Sequence, residues 1–213
     1  MKRSTIFIFA LVVLGGLFLL ATLVYKGSKD GPAKADPALL LRMHAQTLGP
    51  AEAKVHIVEF LDPACEACRA FYPFVKQLMA ANPGKIKLTT RHVDFHPGAD
   101  QVVKLLEASK KQGKYWPTLE AVLASQPQWA INHVARVELL WPHLEGVGLD
   151  LDRLRNDMLA DDVERNLKQD RADANALKVE KTPEYFVNGR RMATFGYDQL
   201  RQLVQDELAA SYP

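Results

Sequence analysis

The sequence predicts an α/β domain that carries an inserted block of helices and follows an N-terminal transmembrane helix. Residues 54–61 form an apolar run rich in branched side chains, which is typical of a buried strand. Residues 97–178 contain a succession of helical patterns with little sign of a strand. Residues 6–25 carry no charge and are numerous enough to span the hydrocarbon core of a bilayer.

Composition and charge exclude several classes of protein. The chain has 213 residues, of which 48% are hydrophobic and 24% charged, so it has the composition of an ordinary globular protein. Residues 1–36 contain five basic and two acidic residues, which leaves 22 basic and 23 acidic residues in residues 37–213. Because this body is close to neutral, it lacks the basic surface that nucleic-acid binding requires.

The N-terminal segment predicts export. We interpret residues 1–25 as an uncleaved signal anchor, because the apolar run is longer than that of most cleavable signal peptides. A cleaved signal is the alternative, and its small-x-small site would be residues 33–35. Residues 26–50 are expected to contain a flexible tether and a short helix.

Residues 51–213 are expected to form the folded domain, with the helical insertion at about 97–178. Asn188-Gly189 between two apolar segments predicts a hairpin turn. In chain order the predicted elements are a helix at 37–47, strands at 54–61 and 85–93 with a helix at 65–81 between them, helices at 99–112, 116–125, 129–144, 151–159 and 163–177, a hairpin at 184–188 and 190–193, and a helix at 197–210.

The reactive chemistry of the chain is predicted at Cys65-Glu66-Ala67-Cys68. Cys65 lies where a strand passes into a helix, and the unpaired N–H groups of a helix N-terminus stabilise a thiolate there. Only the thiolate attacks a disulfide, and Cys68, one turn later, can resolve the mixed disulfide. A structural zinc site would need four ligands, and the chain has only these two cysteines.

Three motifs carry a family resemblance. Residues 58–73 resemble the active-site strand and helix of the thioredoxin superfamily, and of its DsbA-like branch in particular. Residues 112–116 resemble the Gln-Gly-Lys-aromatic-Trp signature of the DsbA-like helical insertion, and residues 181–189 resemble the segment with the cis-proline and its hairpin. The resemblance covers about residues 52–210 and implies a thioredoxin fold with an inserted helical subdomain.

The resemblance also implies roles for individual residues. Pro183 matches the family's cis-proline, and Thr182 before it would help to bind substrate. Glu59 stands six residues before Cys65, the spacing at which related proteins place a buried acid that moves the proton of Cys68. The exchange needs no organic cofactor, because the Cys65–Cys68 disulfide itself carries the electrons.

The residues between the cysteines differ from the Pro-His pair of the strongly oxidising members. Glu66 should disfavour a charged sulfur at Cys65, and no histidine is present there to stabilise it. We therefore expect a pair less oxidising than that of a strong general oxidase. The six histidines are scattered, and His92 and His96 are the two that a loop could bring to the site.

The predicted function is therefore that of an extracytoplasmic thiol–disulfide oxidoreductase, anchored in a bacterial-type inner membrane with its catalytic domain in the periplasm. Its expected partners are protein thiols and disulfides as substrates and a redox partner that regenerates the pair. A Cu(I)-binding thiol protein for copper handling is the alternative, because two thiolates suffice for Cu(I). The direction of electron flow, the substrates and the oligomeric state stay open at this point.

Overall fold

The computed structural model describes residues 12–16, 18–19, 22 and 34–213. The predicted anchor at residues 1–25 falls largely outside the described residues, and among those that are described no helix has the length and apolar character needed to cross a bilayer. The chain divides into two units, residues 1–33 and residues 34–213. The second unit contains α1 (Pro37–Leu40), β1 (Gln46–Leu48), β2 (Val55–Leu61), α2 (Glu66–Ala81), β3 (Ile86–His92), α3 (Ala99–Ser109), α4 (Tyr115–Ala124), α5 (Gln126–Trp129), β4 (Ala130–Ile131), β5 (Val134–Ala135), α6 (Leu151–Asp157), α7 (Asp161–Ala176), β6 (Glu184–Val187), β7 (Arg190–Arg191) and α8 (Tyr197–Ser211), with 3-10 turns at Lys110–Gln112, Val137–Leu139 and Trp141–Val147.

The five-stranded sheet has the order β1-β3-β2-β6-β7. The central strand β2 runs parallel to β3 and antiparallel to β6, so it is hydrogen-bonded on both edges. Six of its seven residues are buried, which agrees with the continuous apolar run of the sequence. The site follows the carboxyl end of this strand, where the chain turns into α2.

Alternation along β2 divides its side chains between two layers. Ile57 and Leu61 belong to the hydrophobic cluster that includes α2 and α8, whereas Val58 and Phe60 belong to a second cluster with α1 and α7. Because side chains alternate along a strand, Glu59 points to the same layer as Ile57 and Leu61. The strand itself thus directs this carboxyl group beneath the helix that begins at the cysteines.

The helix α2 begins at the cysteine pair. Cys65 is its N-cap residue, and Cys68, Phe71 and Val75 are buried on one face at helical spacing. Pro73 lies inside the helix without ending it. The side of the helix that carries Cys68 therefore faces the sheet.

The insertion between β3 and β6 is mostly helical, with one departure from the sequence prediction. The predicted helix at 129–144 is wrong, because α5 ends at Trp129 and a two-stranded hairpin follows. Asn132 and His133 form the turn of this hairpin with positive φ angles of 52° and 61°, a conformation that ends a right-handed helix. Pro142 is the second residue of the 3-10 segment Trp141–Val147, a position near a helix start where its missing N–H is tolerated.

Two further segments show where local patterns succeeded and failed. The predicted helix at 37–47 ends at Leu40, and residues 46–48 instead form β1, which pairs with β3. Asp36 caps the short helix, since its Oδ1 accepts a hydrogen bond from the Ala38 N–H at 2.9 Å. The Asn188-Gly189 hairpin is confirmed, and both residues have the positive φ that such a turn requires.

Candidate active site

The two cysteines differ in exposure although they are three residues apart. Cys65 is 8% exposed and Cys68 is fully buried, and both are free thiols. The Sγ of Cys65 lies 3.3 Å from the carbonyl oxygen of Thr182, to which it donates a hydrogen bond as a thiol. The first cysteine is therefore at the rim of the site, beside the segment before β6, and the second lies beneath it.

The electrostatic properties of the two sulfurs are opposite. The hydrogen bond from the Cys68 thiol, aided by the N–H groups of Cys68 and Ala67, lowers the pKa of Cys65 from 9.0 to about 6. Burial raises the pKa of Cys68 well above its ordinary value, and the nearby charges of Cys65 and Glu59 act in the same direction. One sulfur is thus suited to ionise near neutral pH, and the other holds its proton.

Glu59 lies in the layer of the sulfurs and is fully buried. Burial raises the pKa of this carboxyl group from 4.5 to about 8. Its partner across the β2–β6 ladder is Tyr185, whose hydroxyl donates a hydrogen bond to Glu59 Oε1 at 3.0 Å. Glu59 Oε2 has no hydrogen-bond partner among the residues that the structure describes. The site therefore contains a carboxyl group that can take up and release a proton near neutral pH.

The segment before β6 completes the site. The Thr182–Pro183 peptide bond is cis, so this prediction is confirmed. A cavity of about 150 Å³ lies beside Pro183, and Met192 and Phe195 contribute to its lining. Phe195 is 43% exposed, and its ring lies 4.6 Å from that of Phe71 in α2. All the predicted site residues (Glu59, Cys65, Cys68, Thr182 and Pro183) therefore come together at one end of the sheet.

Glu66, between the cysteines, points away from the buried part of the site. Its side chain is 62% exposed, and its Oε2 lies 3.8 Å from Nδ1 of His133 in the β4–β5 turn. Solvent screens a charge in this position, so its effect on Cys65 is smaller than that of the hydrogen bonds to the sulfur. The expected effect of Glu66 on the reduction potential stays a prediction.

The turn before the cysteines contains contacts that sequence analysis missed. The buried carboxylate of Asp62 accepts hydrogen bonds from the Ala64 N–H at 2.8 Å and from the His96 N–H at 2.9 Å. His96 therefore reaches the site region through Asp62, whereas His92 is buried against Tyr115, with Nε2 3.0 Å from the tyrosine hydroxyl.

Gln126 of α5 is a further missed residue, because its side chain contacts this turn from the insertion. No local pattern marks it, since its partners are some 60 positions away in sequence. Tyr185 could have been found, because it is two residues after Pro183 in the predicted strand at 184–188.

The described part of the chain contains no group of three or more His, Cys, Asp or Glu side chains that could hold a metal ion. The cysteine pair is thus the group in the site suited to redox chemistry or to a soft ion such as Cu(I).

Comparison with known proteins places this geometry in a family. A family model described as thioredoxin matches residues 43–206. A thioredoxin-like oxidoreductase from Silicibacter pomeroyi superposes with a TM-score of 0.71 at 26% identity and covers 83% of this chain and 99% of its own. The thiol-disulfide exchange protein alpha-DsbA2 from Wolbachia pipientis has the same fold, with a TM-score of 0.67 at 23% identity over 79% of this chain and 89% of its own.

Two kinds of sequence relative were found. A probable disulfide bond formation protein D from Bacillus anthracis is 26% identical over 200 residues, which are 90% of this chain and 91% of that protein. A Na⁺/H⁺ antiporter NhaA 3 from Salinispora tropica is 33% identical over 146 residues, 67% of this chain, and the chain spans about a fifth of that protein's length (21%). The family match over most of the chain shows that this chain belongs to the thioredoxin family, and its fold is shared by the oxidoreductase and the thiol-disulfide exchange protein described above.

Proposed function

We propose that the protein is a thiol–disulfide oxidoreductase that exchanges disulfides with protein substrates through Cys65 and Cys68. The observation that carries this proposal is the contrast between the two sulfurs, one at the rim with a pKa of about 6 and one buried with a raised pKa. A pair of this kind directs attack to a single sulfur.

The exchange runs in two steps in either direction. In the reducing direction, the Cys65 thiolate attacks a substrate disulfide, forms a mixed disulfide and releases one substrate thiolate. Cys68 then gives up its proton, attacks Sγ of Cys65 and releases the second substrate thiolate. In the oxidising direction, a substrate thiolate attacks Cys65 of the disulfide, forms a mixed disulfide and releases the Cys68 thiolate. A second substrate thiolate then attacks the substrate sulfur of the mixed disulfide, which forms the substrate disulfide and releases the Cys65 thiolate.

Glu59 is proposed to exchange the proton of Cys68 in both directions. Its pKa of about 8 lies near the working pH, so the carboxylate can accept the proton and the acid can return it. Thr182 and Pro183 are proposed to hold the substrate beside Cys65, and the 3.3 Å contact between Cys65 Sγ and the Thr182 carbonyl oxygen supports this assignment.

The catalytic domain is proposed to act outside the cytoplasm, in the periplasm of a cell with a bacterial-type inner membrane. The uncharged run at residues 6–25 would anchor it as a single transmembrane helix, and a cleaved signal remains the alternative. An oxidising compartment is where a dithiol–disulfide pair of this kind operates. We further propose that no organic cofactor takes part and that a separate redox partner regenerates the pair.

The pair is proposed to be less oxidising than that of a strong general oxidase. A strongly oxidising pair such as that of DsbA, at about −120 mV, has a thiolate pKa of about 3.5. The value of about 6 at Cys65 lies between that and an unperturbed thiol, so its reduced form is less stabilised. Equilibration of the full chain in detergent against glutathione buffers measures the potential directly.

Substitution of each cysteine tests the mechanism. Cys65→Ser should abolish exchange between the purified full chain and a disulfide-bonded test protein. Cys68→Ser should retain the attacking thiolate and accumulate mixed disulfides that are visible on non-reducing gels. Unchanged exchange by Cys65→Ser contradicts the proposal. Reduced protein purified without oxygen that holds one copper ion per chain and shows no exchange would favour the Cu(I)-binding alternative instead.

A further inference from the structure

The turn that carries Cys65 is held by a side chain from the insertion. Gln126 is the first residue of α5 and is 1% exposed. Its Nε2 donates hydrogen bonds to the carbonyl oxygen of Pro63 at 2.8 Å and to that of Cys65 at 3.0 Å. Both acceptors belong to the short link between β2 and α2, so one buried amide spans the link on both sides of Ala64.

A third hydrogen bond fixes the orientation of this amide. Arg69, on the first turns of α2, donates from Nε to Gln126 Oε1 at 3.1 Å. The primary amide has one strong acceptor and two donor hydrogens, so a single side chain meets all three partners. A methionine or leucine of similar size would leave the carbonyl of Pro63 and that of Cys65 without this donor inside the protein.

The position of the Cys65 peptide matters to its sulfur. The Cys65 carbonyl also accepts the N–H of Arg69 at 3.2 Å, the first hydrogen bond of the helix. The N–H groups that stabilise the thiolate, those of Ala67 and Cys68, belong to that same turn. A side chain that fixes the Cys65 carbonyl therefore fixes where the sulfur lies relative to those N–H groups.

We propose that Gln126 is a positioning residue for disulfide exchange: from the helical insertion it holds the turn that carries Cys65 and so sets the reactivity of that sulfur. This inference rests on the proposed function. Asp62 holds the same turn from within the link, through the N–H groups of Ala64 and His96. The helical insertion thus affects the reactivity of the cysteine pair through Gln126.

Two variants and a matched control test the proposal in the full chain. Gln126→Met keeps the volume and removes the donors, whereas Gln126→Asn keeps the amide one methylene shorter and is the milder change. Ser125→Ala is the control, because the neighbouring Ser125 hydroxyl donates to the carbonyl of Ala121 in α4 and does not contact the link. The pH dependence of Cys65 alkylation, the equilibrium with glutathione and the thermal unfolding midpoint are measured for each variant.

Gln126→Met should move the midpoint of Cys65 alkylation to higher pH and slow alkylation at pH 6 about three- to tenfold, because the thiolate loses part of its stabilisation. The equilibrium with glutathione should shift toward the disulfide by a similar factor, and a tenfold shift corresponds to about 30 mV. Gln126→Asn should give the same changes at smaller size, and Ser125→Ala should change only the unfolding midpoint.

Unchanged alkylation and glutathione equilibrium in both Gln126 variants, with a lowered unfolding midpoint, would overturn the proposal and leave Gln126 a purely structural residue. If Gln126→Met does not fold, Gln126→Asn alone decides in the same way. Absence of exchange in the unsubstituted chain contradicts the proposed function, which is a different result from exchange that the Gln126 variants leave unaltered.

Discussion

Two buried sets of ionisable side chains lie on opposite faces of the sheet, on the neighbouring strands β2 and β3. Glu59 of β2 faces the layer of the cysteines, whereas Arg91 of β3 faces the layer of α7, where it meets Asp170 and Asp173 at 2.8 and 2.6 Å. Asp170 also accepts hydrogen bonds from His44 at 2.6 Å and from the His92 N–H at 2.8 Å. Both environments are buried, yet the acid pKa values shift in opposite directions.

The difference comes from the number of hydrogen-bond and ion-pair partners that each carboxyl group has. Burial raises the pKa of Glu59 to about 8, because Tyr185 alone opposes it. At Asp170 the same burial effect is outweighed by His44, Arg91 and the His92 N–H, so its pKa falls to about 2. A fully paired carboxylate holds the fold together and does not titrate near neutral pH, whereas an acid with few partners is free to exchange a proton.

The largest expected effect is a loss of stability at the cluster of Arg91, Asp170 and Asp173. Asp170→Asn removes a carboxylate that contacts Arg91 and His44, and leaves part of the Arg91 charge without a partner. We expect a loss of about 3–5 kcal/mol in the free energy of unfolding, as for other broken buried pairs. Urea unfolding of the oxidised protein measures this loss.

A surface pair provides the control for that experiment. Asp162→Asn removes an exposed ion pair with Lys111, whose atoms lie 2.9 Å apart, and should cost less than 1 kcal/mol. The glutathione equilibrium should stay unaltered in Asp170→Asn. A shift in it would show that the two faces are coupled and that the comparison between them fails.

The second expected effect is a gain in stability, in contrast to the loss at Asp170. Glu59→Gln should stabilise the oxidised protein by roughly 3 kcal/mol at pH 7, because the folded state no longer has to keep a carboxyl group protonated that ionises freely when unfolded. The same variant should slow the step in which Cys68 attacks the mixed disulfide. Glu120→Gln, at a half-exposed position on α4, is the control and should change neither quantity. A destabilised Glu59→Gln protein with normal exchange would refute the role of Glu59.

The two faces also differ in how far the sequence could predict them. The strand β2, the cysteines at the start of α2 and the Asn188-Gly189 turn follow from local patterns, whereas Glu59 was identified through the family resemblance, by its spacing of six residues from Cys65. The cluster of Arg91 with Asp170 and Asp173 could not be predicted, because Arg91 and Asp170 are 79 residues apart and no local spacing relates them. The predicted helix at 129–144 failed for a related reason, since apolar spacing there arises from a hairpin and 3-10 turns that pack on neighbouring helices.

The free energy of unfolding should depend on pH in opposite ways at Asp170 and at Glu59, and the stabilisation by Asp170 that is lost at acidic pH should be about 2 kcal/mol. The folded pKa of Asp170 is depressed, so its stabilisation is complete above about pH 4 and is lost as the pH falls toward 2. The folded pKa of Glu59 is raised, so the unfolded state releases its proton first and stability falls as the pH rises from about 4.5 to 8.

Urea titrations of the oxidised protein between pH 2 and 9 test this, because Cys65 does not titrate in the disulfide. The difference between the unsubstituted protein and Asp170→Asn should shrink below pH 4. The difference from Glu59→Gln should grow up to pH 8. Parallel curves for the two variants would mean that the carboxyl groups do not differ as the contacts indicate.

The smallest effect concerns the one hydrogen bond that Glu59 receives from Tyr185. That bond favours the carboxylate, so Tyr185→Phe should raise the pKa of Glu59 further, by about one pH unit for a hydrogen bond to a charged group. Tyr72→Phe is the matched control, because the Tyr72 hydroxyl donates to Glu120 at 3.3 Å and lies in the same helix as Cys68.

The measurement is the rate at which Cys68 resolves the mixed disulfide, followed against pH. If Glu59 accepts the proton of Cys68, the rising limb of this profile should move to higher pH in Tyr185→Phe and stay in place in Tyr72→Phe. A role of Tyr185 in packing alone would lower the unfolding midpoint without moving the limb. Because a buried acid with several partners is held ionised, a single partner at Glu59 is what keeps its proton exchangeable at the pH where the cysteines react.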